Sequence, residues 1–335
     1  MMQATSPLIE VSNLCVEFST SRGVARVLDD VSFELREGET LGIVGESGCG
    51  KSMTALSILR LIPTPPGRIA SGAIRLRGEN LLEATEQRIQ DVRGNDIAMI
   101  FQEPMTALDP VFTIGQQIEE TIRRHRDRSA AEAREDAIEL LRAVQIPEPQ
   151  RRIDQYPHQL SGGMRQRAMI AMALACQPSV LIADEPTTAL DVTIQAQVFE
   201  LMRDLHRTLG TAMILITHNM GAIAELADRV MVMYAGRKME EGPVEEVLKN
   251  PAHPYTRGLL GCVLHVEPGD PPARALLPEI PGMVPALTEL GQGCPFAARC
   301  PSVMARCREE MPPPTSLGGG HSVACWLALG EGNRS

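Results

Sequence analysis

Residues 45 to 52 read Gly45-Glu46-Ser47-Gly48-Cys49-Gly50-Lys51-Ser52, and no other stretch constrains this chain as much. They follow the pattern Gly, four residues, Gly-Lys-Ser. Glycines in such a loop let the backbone curl until several N–H groups point inward at phosphate oxygens. The flanks suit that loop. Leu41, Gly42, Ile43 and Val44 form a short apolar run, the strand expected before it, and Met53 to Leu61 reads as the helix after it. The start of that helix adds the positive end of a dipole. In this reading Lys51 reaches the β- and γ-phosphates, and the Ser52 hydroxyl sits on Mg²⁺. A Gly-rich turn matching by accident would not be expected to have both flanks.

The rest of the composition narrows the class. A length of 335 residues suits one large domain with an appendage, or two domains. The net charge of −10 argues against a nucleic-acid partner held by a basic face. No run of about 18 apolar residues occurs, so no membrane span is expected. The N-terminus has no basic segment followed by an apolar core, and a cytoplasmic location is the expectation.

Along the chain, residues 8 to 18 alternate apolar and polar as a strand does, Ser19 to Ala25 read as a turn, and Val27 to Leu35 as a second strand. Phe18 is placed either in the core or against an adenine ring. Ile97 to Phe101 is an apolar run of strand length that stops at Gln102-Glu103-Pro104. Residues 113 to 126 and 130 to 145 then carry helical periodicity, with Ala133, Ile138, Leu141 and Val144 near one face. Further strands follow at Val180 to Ala183, Ala212 to Thr217 and Val230 to Tyr234, with helices over 165–175 and 193–209 between them. Strands alternating with helices predict an α/β fold with a mostly parallel sheet. The helical stretch, about 104–175, reads as an insertion in it. The main domain is expected over 1–265, and a Pro-rich extension over 266–335.

A phosphate loop needs a second acidic site for its metal. Asp184, at the end of an apolar strand, fits that role, and Glu185 beside it is a candidate for the base that deprotonates attacking water. Leu160-Ser161-Gly162-Gly163-Met164-Arg165-Gln166-Arg167 resembles the signature motif of ATP-binding cassette (ABC) ATPases. The other motifs fall into that family's order: phosphate loop, Gln102 as the Q-loop glutamine, signature, Asp184-Glu185, Thr188-Ala189-Leu190-Asp191 as the D-loop, and His218 as the switch histidine. One departure is Met164, where many members have Gln. The resemblance implies an ABC ATPase fold, that is, a P-loop NTPase core with an antiparallel β subdomain and an inserted helical subdomain. It implies ATP and Mg²⁺ as ligands, with Ser52, Gln102 and Asp184 at the metal. It also implies that Ser161, Gly162 and Gly163 act on ATP bound by a second ATPase subunit, so that this chain alone should be a poor ATPase. A Ser-Gly-Gly turn opening a helix is itself an anion site.

Finer segments resemble the peptide and nickel importer subfamily: Ile100 to Pro110, Tyr156-Pro157-His158-Gln159, and Asn250-Pro251-Ala252-His253-Pro254-Tyr255-Thr256. Ser52-Met53-Thr54 and Pro66-Gly67-Arg68-Ile69 resemble the dipeptide/oligopeptide D-type ATPase. What this implies is a heterodimer with a second ATPase, two membrane permease subunits, an external substrate-binding protein, and a place at the cytoplasmic face of the membrane. Nickel, a murein peptide or another solute are alternative cargoes. A soluble ABC ATPase of DNA repair or translation is a more distant alternative, disfavoured by the 58 residues between Gln102 and Ser161 and by the single phosphate loop.

Cys294, Cys300, Cys307 and Cys325 cluster in the extension. No pair has the two-residue gap common in zinc sites. Four soft thiolates can hold zinc or an iron–sulfur cluster, or remain ordinary thiols. Similar tails in the oligopeptide/dipeptide ATPases imply a [4Fe–4S] cluster, with Zn²⁺ as the alternative.

Overall fold

The computed structural model describes residues 6–102, 107–188, 190–262 and 279–331. Period-two burial builds its central sheet. In β8 (Ala212–Ile216), Met213 and Leu215 face one core, while Ala212, Ile214 and Ile216 face the other. The same split divides β3 (Thr40–Val44), β7 (Val180–Asp184) and β9 (Arg229–Tyr234). Both faces are therefore covered, as a parallel sheet requires. With β6 (Ile97–Ile100) these strands run parallel in the order β9-β3-β8-β7-β6. Gly42 lies where a Cβ would stand 2.6 Å from Ile223 Cδ1, so only glycine lets the helix above approach β3 so closely.

The antiparallel sheet has the order β2-β1-β4-β5, formed by β1 (Ile9–Thr20), β2 (Gly23–Leu35), β4 (Gly67–Leu76) and β5 (Glu79–Asn80). The hairpin joining β1 to β2 is tighter than its sequence suggests. Thr20 pairs with Gly23, and the strands run on through positions 19–25. Residues 19–24 at this end of the hairpin are exposed on both faces, so hydrophobic alternation, which reports one buried face, is silent there.

Helix α1 (Lys51–Ile58) leaves the phosphate loop, and α2 (Glu86–Val92) follows β5. Between β6 and β7 lie α3 (Ile114–His125), α4 (Ala130–Ala143), α5 (Pro149–Arg152) and α6 (Gly162–Ala173). Thr113 with Gln116 and Ser129 with Glu132 form capping boxes that start α3 and α4. Ile114, Ile118 and Ile122, and Ala133, Ala137 and Leu141, bury one face of each. Beyond β7 come α7 (Val192–Leu209) and α8 (Met220–Leu226).

The central sheet does not stop at β9. Strand β10 (Arg237–Pro243) pairs antiparallel with it, and β12 (His321–Val323) and β11 (Thr315–Gly318) add two more strands from the C-terminal segment. Among the described residues, helices α9 (Val244–Lys249), α10 (Pro254–Gly261), α11 (Ala305–Glu309) and α12 (Trp326–Glu331) follow. The expected boundary at 265/266 lies outside the described residues. Past it, Phe296 is buried in the same core as the sheet. A fully buried carboxylate ties the parts together: Glu240 accepts from the N–H groups of Ala252 (2.7 Å) and His253 (3.0 Å), and stands 2.8 Å from Nε2 of His321. A buried acid is stable only when its oxygens are so satisfied.

Candidate functional site

The phosphate loop caps β3. Gly45, Gly48 and Gly50 all have positive φ, and at Gly45 a Cβ would lie 2.2 Å from the Met233 carbonyl oxygen. Only glycine allows that turn. Lys51 is 6% exposed, and its Nζ donates to the carbonyls of Gly45 (2.8 Å) and Glu46 (3.1 Å). The lysine thus folds back over the loop it follows. Ser47 and Gly48 sit at the exposed crest, whereas Cys49 is buried. Burial pushes the Cys49 thiol up, opposed by Lys51.

Across the loop is the end of β7. The Ser52 hydroxyl donates to Asp184 Oδ1 at 3.1 Å, although 132 positions separate them. Asp184 is 4% exposed. Burial pushes its carboxyl up; the Ser52 hydrogen bond opposes this, Glu185 adds to it and Lys51 opposes it. A buried acid beside a hydroxyl is a pair of hard oxygens of the kind Mg²⁺ takes, and a bound cation would reverse the effect of burial.

Glu185 has φ of 45°, the left-handed region that a non-glycine residue enters at a cost of about 1–3 kcal/mol. Its N–H donates to the Ile216 carbonyl at 2.8 Å, tying the turn to β8. Its carboxylate accepts from Gln102 Nε2 (3.0 Å) and Thr188 Oγ1 (2.9 Å), and His218 Nδ1 stands 3.7 Å away. Gln102, Glu185 and His218 follow β6, β7 and β8 respectively, so adjacent parallel strands deliver them to one end of the sheet. His218 is 72% exposed on its side chain, open to a ligand.

The signature turn is elsewhere. Ser161 caps α6 by accepting from the Met164 N–H at 3.3 Å. Asp191 caps α7 in the same way, accepting from the Ile194 N–H at 3.0 Å. A Cβ on Gly163 would meet Ile194 Cγ2 at 3.1 Å, so the two helix starts pack together. Ser161 and Gly162 are exposed. Glu103 to Thr106 and Ala189 lie outside the described residues.

Phe18 is half-buried against the second core, with its ring over Gly67 of β4, where a Cβ would lie 2.7 Å from Cζ. In the C-terminal segment, Cys294, Cys300, Cys307 and Cys325 line one small pocket with His253, Phe296 and Trp326. All four are free thiols. Burial pushes Cys294 up to about 11, and the three other cysteines add to the rise. Among the described residues no group of three or more His, Cys, Asp or Glu is arranged to hold a metal ion.

Sequence reasoning missed three residues at this site. Thr188 was read only as part of a motif, yet it holds the Glu185 carboxylate. The Tyr255 hydroxyl accepts the Glu46 N–H at 2.8 Å, and Arg299 pairs with the Glu46 side chain. Their partners are 209 and 253 positions away, and no local pattern carries such a signal.

Comparison with known proteins gives the family. The pattern of the family described as ABC transporter matches residues 28–188, and that of the oligopeptide/dipeptide transporter C-terminal region matches 239–307. A probable peptide ABC transporter ATP-binding protein of Sinorhizobium fredii is 53% identical over 319 residues, covering 95% of this chain and 94% of the relative. A putative peptide import ATP-binding protein of Brucella melitensis is 51% identical over 321 residues, covering 96% and 95%. Among solved structures, a dimeric ATP-binding cassette in a post-hydrolysis state, bound to ADP and phosphate, matches with a TM-score of 0.64 and 26% identity, over 70% of this chain and 98% of that one. Part of an ABC transporter complex from Clostridium perfringens matches with a TM-score of 0.62 and 25% identity, over 73% and 92%. A Gly-Lys-Ser loop facing a buried acid, a carboxylate held by glutamine and threonine, and relatives matched nearly end to end lead to one conclusion: the chain belongs to the ATP-hydrolysing, ATP-binding proteins of ABC transporters, in the group with an oligopeptide/dipeptide transporter C-terminal region.

Proposed function

We infer that this chain is the ATPase subunit of an importer of di- and oligopeptides, of the D-type, working at the cytoplasmic face of the membrane. The observation that carries the reading is the pairing of Ser52 with Asp184 and of Gln102 with Glu185 around the loop, in a chain whose C-terminal region matches that of oligopeptide/dipeptide transporters. Loop N–H groups and Lys51 hold the β- and γ-phosphates of ATP, while Phe18 is assigned to the adenine. Mg²⁺, held by Ser52, Asp184 and Gln102, would neutralise charge on the phosphates. Glu185 accepts a proton from water as the water oxygen bonds to the γ-phosphorus and the bond to the β–γ bridging oxygen breaks. His218 holds the γ-phosphate in line. Ser161, Gly162 and Gly163 serve the ATP of a second, different ATPase subunit across the interface, aided by Asp191 at the neighbouring helix start. ATP contacts both subunits only when they are closed, so its binding favours closure and its hydrolysis reopens them.

Among the described residues no helix is long and apolar enough to cross a membrane. Translocation in this reading belongs to two permease subunits, fed by an external binding protein. Purification from gently solubilised membranes tests this: two membrane permeases and a second ATPase should accompany the chain. Recovery with ribosomes or DNA, and with no membrane protein, would reject it. The ligand of the cognate binding protein then separates peptides from nickel or murein fragments.

The four cysteines are assigned to a [4Fe–4S] cluster. Their donor chemistry fits, and they converge on one pocket. A Pro-rich segment with a small core gains a staple this way. Protein purified without oxygen should contain equal iron and sulfide and absorb in the brown region. One zinc and no iron per chain would instead select the alternative.

A further inference from the structure

We propose that Arg299 is a positioning residue for the nucleotide site: through Glu46 it sets the shape and charge of the phosphate loop from within the cysteine-bearing segment. The proposal rests on the reading of residues 45–52 as the ATP phosphate cradle.

Arg299 lies between Cys294 and Cys300, and its side chain is 5% exposed. All five of its N–H donors have partners. Nη1 and Nη2 grip the two Glu46 oxygens at 2.6 and 3.0 Å. Nη1 also donates to the Tyr234 hydroxyl (3.3 Å), Nη2 to the Ile280 carbonyl (2.9 Å) and Nε to the Pro281 carbonyl (3.0 Å). The guanidinium stands 5.8 Å from the Tyr234 ring centre and 6.0 Å from that of Phe296. A planar fork held on its edges and over aromatic faces has one orientation, so it is a rigid anchor.

What it anchors is the second residue of the loop. The Glu46 N–H is held by Tyr255, its side chain by Arg299, and its carbonyl by Lys51 Nζ at 3.1 Å. The line of contact runs from Arg299 through Glu46 to the lysine that meets the phosphates. Charge matters as well. An acid beside a tetra-anionic nucleotide opposes binding, and the buried guanidinium neutralises it where water screens weakly. Cys300 follows Arg299 directly, so whatever fixes the four thiols also steadies the anchor.

A double-mutant cycle on the full-length chain tests this, read as the Kd for Mg-ATP by titration calorimetry. Arg299→Ala should raise Kd about 10-fold. In a Glu46→Ala background the same change should alter Kd less than twofold, because its target is gone. In the assembled transporter Arg299→Ala should raise KM for ATP and leave kcat within twofold. An unchanged Kd in Arg299→Ala, or an equal loss in the Glu46→Ala background, would overturn the proposal. Should Arg299→Ala not fold, Arg299→Lys keeps the charge without the fork. Its Kd should rise about threefold, and a wild-type value would overturn the proposal equally. Lys51→Ala is the control. If it binds ATP normally, the cradle reading fails and this inference falls with it, whereas abolished binding beside an unaffected Arg299→Ala sinks the inference alone.

Discussion

Glu185→Gln should bind ATP with near wild-type affinity and hydrolyse it about 100- to 10,000-fold more slowly, the range a positioned general base supplies. The substitution isolates charge from shape. The Glu185 carboxylate accepts from Gln102 and Thr188, and both bonds go to the same oxygen, Oε2. A glutamine carbonyl can accept both, so the left-handed turn and its ties survive. What is lost is the ability to take a proton from water. Single-turnover hydrolysis in the assembled transporter, with ATP affinity measured separately, checks the outcome. Near-normal turnover would take Glu185 out of the role of base.

Lys51→Ala should fail at an earlier step, weakening nucleotide binding itself by roughly 100-fold, about 3 kcal/mol for removing one partner of a desolvated charge pair. Lys51 has two tasks that its neighbours cannot share. It carries the positive charge at the crook of the loop, and it ties the Gly45 and Glu46 carbonyls together. Without it those carbonyls are free to face the phosphates and repel them. The Ser52–Asp184 bond does not involve the Lys51 side chain and should persist, so the fold should remain intact. Equal thermal melting with lost ATP binding is the expected pair of results. Retained binding would contradict the role given to Lys51.

The two predictions differ in how visible their residues were beforehand. Lys51 is announced by its immediate neighbours, since glycine placement is a local requirement of the backbone. Glu185 is announced by a four-residue apolar strand that ends at an acid. Signals of this kind survive in one dimension because period and spacing express strand and helix geometry. Helices α3 and α4 were readable for the same reason, through a repeating apolar face. Strand β10 was not: Arg237–Pro243 carries charges at positions that are nevertheless buried, satisfied by partners such as Arg229 for Glu241 and His321 for Glu240. Hydrophobic patterning cannot see a strand whose burial rests on ion pairs. The anchoring of Glu46 by Tyr255 and Arg299 was hidden likewise, because each is a contact between distant segments with no periodicity of its own.

The pairing of β12 with β10 also bears on solubility. A strand that ends a sheet offers its free backbone N–H and C=O groups to any other chain, and that is the usual seed of aggregation. In a cassette cut off before residue 315, β10 would be left in that position, with the Glu240 carboxylate stripped of His321. The hairpin that covers it presents a much poorer template: four residues of β11, mostly exposed, running into Gly318-Gly319-Gly320. The C-terminal region therefore serves as a protective hem for the catalytic sheet. A shortened ATPase prepared without it should be judged by its tendency to clump before its turnover is interpreted.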